Sequence, residues 1–301
     1  MNDTVGSPEL GTVVVGVDGS QTARRAALWA AAEAACRERP LHIVHAAGTD
    51  GRAPYVTAET VEHVRGTGRA LLDDTAAAVT RLHPGLRVIT DLSRGAPVPS
   101  LYRSAAEHGT IVVGNRGLGG FTSLMLGSVG LKVVAGAKNP VIVVRGTDDE
   151  AETGVVLAAV RDEHDLGCAR YAAREAVIHK AQLRLLHVWN VLESAGSVVT
   201  MLDDVGAIAG EHVRQLTAVT RQIRDEYPDL TVEAEADKSV SVSGALVDAS
   251  HHADLLVMGG RRSPGTMGPT LGWHTHSLLH HAHCPVQLIP RHADLPGSGS
   301  G

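Results

Sequence analysis

The chain has 301 residues and a formal charge of −6, so it carries no excess of basic residues to bind a polyanion. Aromatic residues are 3 % of the chain and are not interleaved with basic ones, which gives no stacking platform for nucleic acid. Cys36, Cys168 and Cys284 form no CxxC pair, which fits a reducing cytoplasm. The opening MNDTVGSPELG lacks an apolar signal region, and no apolar run approaches the ~18 residues of a membrane span.

In chain order, Thr12–Val17 is a short β-branched strand, and Ser20–Arg39 is an Ala-rich helix with Ser20 as N-cap. Glu33, Arg24 and Arg25 read as its ordinary surface, and Arg37 as a surface residue too. Leu41–Ala46 is the next strand and Val61–Leu82 a long helix. Leu86–Leu92 is a strand, and Pro97–His108 a short helix started by Pro97. Thr110–Gly114 is a fourth strand. The glycine-rich stretch Val112–Gly130 overlaps its end, a helix follows over Ser128–Ala137, and Pro140–Arg145 is a fifth strand.

That alternation predicts an α/β fold with a doubly wound, Rossmann-like, mostly parallel five-stranded sheet. The order then recurs after about 145 residues in Gly154–Val160, Leu183–Val188, Leu230–Ala236, Ala253–Gly260 and Cys284–Pro290. His187 falls on His45. The chain is therefore expected to be two tandem domains, 9–146 and 153–291, joined by a polar, acidic linker. A flexible tail is expected over 292–301.

In such sheets ligands sit beyond the carboxyl ends of the strands, where the strand order switches. A glycine-rich turn opening into a helix there offers converging N–H groups and a positive dipole end, which suit phosphate. Gly114 and Gly117 would permit close backbone approach, and Gly127-Ser128 would deliver the helix N-terminus with a hydroxyl. A merely long and flexible loop is the bland alternative. Neither GxxxxGK[ST] nor a GxGxxG after the first strand is present; GVDGS stands there instead.

Gly114-Asn115-Arg116-Gly117, nine residues from Leu118 to Leu126, then Gly127-Ser128 resembles the nucleotide motif of the universal stress protein family. VVGVDGS resembles that family's first strand and turn, and Gly95–Leu101 the usual start of its third helix. The likeness is to the tandem, actinobacterial form and covers nearly the whole chain. It implies ATP as ligand, with Mg as an optional companion. It also implies a site of Asp18, the Ala46 backbone beside adenine, and Gly114, Gly117, Gly127, Ser128 and Val129 around ribose and phosphates. The last strands of each half, Val141–Arg145 and Val286–Ile289, are expected to pair, within the chain or across a homodimer.

In the second copy Gly114 falls on Gly259, Gly117 on Arg262, Gly127 on Gly272 and Ser128 on Trp273. Asp18 falls on Val160 or, with a one-residue slip, on Arg161. That copy is read as a scaffold for the first; a charge supplied by Arg261 and Arg262 to another anion is the sharper alternative. His276, His280 and His283 share one helical face, but no carboxylate or second thiol completes a metal set, and none is assigned. The repeated position of His45 and His187 suggests packing or hydrogen bonding. Asp73-Asp74 and Asp203-Asp204 read as solvated helix faces.

The resemblance implies an ATP-binding regulator or sensor in stress response or dormancy, without fast catalysis and with no catalytic residue assigned. A slow ATPase or phosphotransferase is the alternative, with Asp18 orienting Mg²⁺ and Ser128 or Thr122 accepting phosphate. No partner among nucleic acids or membranes is expected.

Overall fold

The computed structural model describes residues 10–50, 57–117, 126–145, 152–190, 202–260 and 271–290. Linker residues 146–151, the tail, Thr122, Arg261, Arg262 and the side chains of Asp203 and Asp204 lie outside the described residues. The first half runs β1 (Val13–Gly16), α1 (Gln21–Cys36), β2 (Leu41–Ala46), α2 (Ala58–Leu82), β3 (Val88–Ser93), α3 (Pro97–Ala105), β4 (Thr110–Gly114), α4 (Ser128–Gly136) and β5 (Val141–Val144). The second runs β6 (Val155–Ala159), α5 (Leu166–His179), β7 (Gln182–Trp189), α6 (Leu202–Glu226), β8 (Val232–Lys238), α7 (Val242–Ala249), β9 (Leu255–Gly260), α8 (Trp273–His281) and β10 (Val286–Pro290). The central strands bury both faces, while the edge strands β3 and β8 leave residues exposed. Val13 and Val15 join the core under α1 and α2, while Val14 joins the core under α3 and α4. Ser20 caps α1 by accepting from Ala23 N–H at 3.1 Å, and Pro97 stands in the first turn of α3.

One ten-stranded sheet results, in the order β3-β2-β1-β4-β5-β10-β9-β6-β7-β8. Each half is parallel within itself, and the halves meet where β5 and β10 pair antiparallel. The last strands therefore pair within the chain, which closes those two edges to an intermolecular partner. Gln287 lies opposite Ile142, and the two are counterparts in the repeat, so a pseudo-twofold axis passes between them. The core on the α3, α4, α7 and α8 side is continuous across this seam. Among the described residues no helix is long and apolar enough to cross a membrane.

The other side of the seam corrects the surface reading of α1. Glu33 is 1 % exposed, and the Arg37 side chain is likewise 1 % exposed. They meet their counterparts in α5, Glu175 and His179. Arg37 donates from Nε to Glu33 at 2.5 Å and from Nη2 to Glu175 at 2.6 Å; His179 Nε2 lies 2.8 Å from the other Glu33 oxygen. Arg37 also donates to Thr110, and Gln287 donates to Glu175 at 3.0 Å. The pattern was invisible in one copy because the second carboxylate comes from residues 142 positions away in sequence.

Burial raises the Glu33 carboxyl, but Arg37 and His179 outweigh it and hold it at about 2. Burial pushes Glu175 up to about 7; Arg37 opposes this and the Glu33 charge adds to it. The hydrogen bond to Glu33 raises His179. One guanidinium cannot neutralise two carboxylates, so the group needs one more proton, on His179 or on Glu175.

Candidate nucleotide site

The first half switches direction between β1 and β4, and the candidate residues gather there. Val17 extends β1 by donating its N–H to Val44 O at 3.0 Å. Asp18 follows, and the chain turns at Gly19, whose φ of 88° is the left-handed region that glycine adopts without strain. Asp18 Oδ1 accepts from Ser20 N–H at 3.0 Å, which aims the carboxylate back over the start of α1.

The residues after β4 close onto this turn. Thr22 Oγ1 donates to Arg116 O at 2.6 Å, tying the first turn of α1 to the loop. A Cβ on Gly117 would lie 2.5 Å from Asp18 Oδ2, and one on Gly114 would lie 2.8 Å from Thr22 O. Gly127 N–H donates to Asn115 O at 3.0 Å, and a Cβ on Gly127 would be 3.5 Å from Gly117 N. Asp18, Gly114, Gly117 and Gly127 are thus brought together. Close approach is what the glycines permit, but Gly114 and Gly117 make it to protein groups. Gly117 does not adopt a positive φ. Thr22 was not singled out in the sequence, since nothing in GSQT marks it as facing a loop 94 residues on.

Gly127 is the N-cap of α4, and Ser128 and Val129 stand exposed in its first turn. The first intrahelical bond runs from Leu131 N–H to Gly127 O at 2.9 Å. The N–H groups of Ser128, Val129 and Gly130 therefore have no carbonyl within the helix and suit an anion. Ala46 ends β2 on the same carboxyl edge of the sheet, half-buried, one strand away from Asp18. His45 beneath it binds Val17 O through Nδ1 at 2.8 Å, the hydrogen-bonding role its position suggested. Arg116, in the middle of the motif, lies near Arg145. Burial first, and the Arg116 charge second, lower the Arg145 guanidinium to about 10.

The second half builds something else at the same place. His187 Nδ1 binds Val160 O at 2.9 Å just as His45 binds Val17 O, so Val160 matches Val17 and Arg161 stands where Asp18 does. Arg161 pairs with Asp162 at 2.9 Å, and its N–H is held by Asp165. At the end of β7, buried Trp189 stacks on His212 with ring centroids 4.8 Å apart, and His212 Nδ1 lies 2.8 Å from His187 Nε2. The corresponding places in the first half are Ala47 and Gly68. Burial lowers both His187 and His212, which suits a neutral imidazole pair. Trp273, at the position of Ser128, is 81 % exposed: it projects into solvent and does not plug the site.

The expected face of three histidines is cut short: α8 ends at His281, and His283 lies beyond it with its ring stacked on His251, because the chain turns there towards β10. His276 and His280 rings lie 4.3 Å apart, and His280 Nδ1 accepts from Leu126 N–H. Among the described residues the donor atoms that cluster within 4.8 Å are those of Glu33, Glu175 and His179, where Arg37 is the bound cation.

A model of the universal stress protein family matches residues 9–145 and again 153–290. A universal stress protein of Mycobacterium tuberculosis is 27 % identical over 289 residues, covering 95 % of this chain and 98 % of the relative. A second from the same species is 29 % identical over 289 residues, covering 91 % and 95 %. The crystal structure of a universal stress protein from Archaeoglobus fulgidus is similar in fold, with a TM-score of 0.68 at 15 % identity over 93 % of this chain and 98 % of that one. The chain belongs to the universal stress protein family and carries two copies of its domain.

Proposed function

We propose that the first half binds one ATP per chain, with Mg as an optional companion, and that the protein is a nucleotide-linked regulator in stress response. It works in the cytoplasm and without fast catalysis. The observation that carries this reading is the meeting of Asp18, Gly117 and Gly127 at the strand-order switch, directly before the uncapped amides of α4. Those amides and the exposed Ser128 hydroxyl suit phosphate oxygens. Asp18 suits a ribose hydroxyl or a cation, and the end of β2 at Ala46 suits a flat base lying along the sheet edge. A ligand that binds one conformation more tightly stabilises it by mass action, which is sufficient for signalling without turnover.

A phosphotransferase would need charge neutralisation at the γ-phosphate. The Arg145 guanidinium is instead committed to the carbonyls of Leu279, His280 and Ala282. Mass spectrometry of the denatured protein after purification, with titration calorimetry of ATP into nucleotide-free chain, tests the reading. One retained or titrated ATP that survives hours of incubation is expected. Sustained phosphate release abolished by Asp18→Ala would replace the regulator with an enzyme.

A further inference from the structure

His280 belongs to the second half, yet its ring reaches the first half's candidate site. It is 6 % exposed, and its Nδ1 accepts from Leu126 N–H at 3.1 Å. Leu126 is the last residue of the nine-residue spacer and immediately precedes Gly127, the N-cap of α4. Its own side chain is buried and packs beneath Gly130, where a Cβ would lie 3.1 Å from Leu126 Cδ1. The residue that aims the α4 N-terminus is thus held by packing from its own half and by one hydrogen bond from the other.

The first half in turn holds His280. Arg145, just past β5, donates from Nη1 to Leu279 O at 2.5 Å, from Nη2 to His280 O, and from Nε to Ala282 O at 3.1 Å. These carbonyls end α8 and have no further helical turn to bind, so a half-buried cation there satisfies both hydrogen bonding and the helix dipole. The path closes on itself, from β5 through Arg145 to the end of α8, through the His280 ring to Leu126, and so to α4.

The path runs one way. Ser128 heads α4 as Trp273 heads α8, so Ala135 occupies the place of His280 in the repeat, and Pro290 that of Arg145. Neither can repeat the contact. The half that keeps the glycine motif receives the tether, and the half that lost it supplies the ring.

We propose that His280 is a positioning residue acting across the seam: by holding the Leu126 amide it sets the α4 N-terminus for phosphate, and the second half thereby completes the first half's nucleotide site. This rests on the nucleotide reading above. It gives the second copy a role that does not require a ligand of its own.

The test uses the full chain, ATP as the probe, and two variants. His280→Leu keeps bulk and removes the acceptor; His280→Asn restores an acceptor close to the position of Nδ1. Loss of one such hydrogen bond weakens ATP binding by about three- to tenfold in His280→Leu. His280→Asn stays within about twofold of wild type on the same ground, an acceptor being present. Hydrogen exchange at the Leu126 amide is slow in the wild type without ATP and faster in His280→Leu, a readout independent of binding. Unchanged affinity and unchanged exchange in His280→Leu would overturn the proposal. So would an Asn variant as weak as the Leu variant, since the effect would then be packing. A wild type that takes up no ATP overturns the nucleotide reading itself, and the Leu126 exchange still reports whether the tether exists.

Discussion

The two halves share strand order, the order of their helices and a hydrogen-bonded histidine near the end of the second strand, yet they treat the space above the sheet differently. In the first, Gly68 lets α2 close onto His45, where a Cβ would meet the ring at 2.8 Å, and Ala47 leaves the strand end bare. In the second, His212 and Trp189 stand at those places and stack on one another. Asp18 becomes Arg161, which turns to Asp162. Duplication preserved what the sheet needs, because strand burial and the seam depend on it. It did not preserve what a ligand needs in both copies. The seam is the reverse case: Glu33 with Arg37 and Glu175 with His179 are two versions of one helix motif, and only together do they neutralise each other.

That contrast can be broken at the seam first. Arg37→Met leaves two buried carboxylates facing each other without their cation, and removing one partner of a buried pair costs about 3–5 kcal/mol. Urea unfolding of the full chain is expected to show that loss; a change below ~1 kcal/mol would mean the group is solvated or its charges are neutralised otherwise.

The pH dependence follows from the same group. The Glu175 pKa is raised from the ordinary 4.5 to about 7, so its contribution is fully present below 4.5 and is lost as pH rises towards 7. His179 is also raised, and its contribution is lost as pH climbs above its ordinary 6.5. Glu33 is lowered, so its contribution is present above 4.5 and lost in acid towards 2. Stability is therefore expected to fall between pH 5 and 8, as the one extra proton that Glu175 and His179 hold between them is lost. Glu175→Gln removes that part of the slope. A variant with the wild-type pH profile would place the titrating group elsewhere.

At the ligand site, Gly117→Ala forces a methyl against Asp18 Oδ2 and is expected to weaken ATP at least tenfold, about 1.4 kcal/mol, by displacing the carboxylate or the loop. Calorimetry on the folded variant reads this; unchanged affinity would sever Asp18 and the glycine from the ligand. The smallest effect belongs to Ser128→Ala. The backbone N–H survives, and binding is expected to weaken less than about fivefold, the scale of one neutral hydrogen bond. A hundredfold loss would make the hydroxyl, not the amides, the principal phosphate donor.

The fold was legible because β-branched runs alternate with Ala-rich helices, and because the repeat shows each element twice. The strand-end positions followed from the same pattern, and with them Gly114, Gly117 and the α4 start; Asp18 followed only from the family resemblance. Contacts between halves were not legible. Glu33 and Arg37 resemble any exposed i,i+4 pair until Glu175 is brought beside them. His280 resembles one member of a histidine face until α8 packs against Leu126. The reason for Gly114 was also hidden: its close approach is to Thr22 O, which makes Gly114→Ala a test of folding before it is a test of binding.

Native mass spectrometry of the full chain with excess ATP tests the central contrast most directly. One nucleotide per chain is expected in the wild type, and a markedly reduced bound fraction in Gly117→Ala. Two nucleotides per wild-type chain, or one that is retained undiminished in Gly117→Ala, would contradict a single site built by the first half.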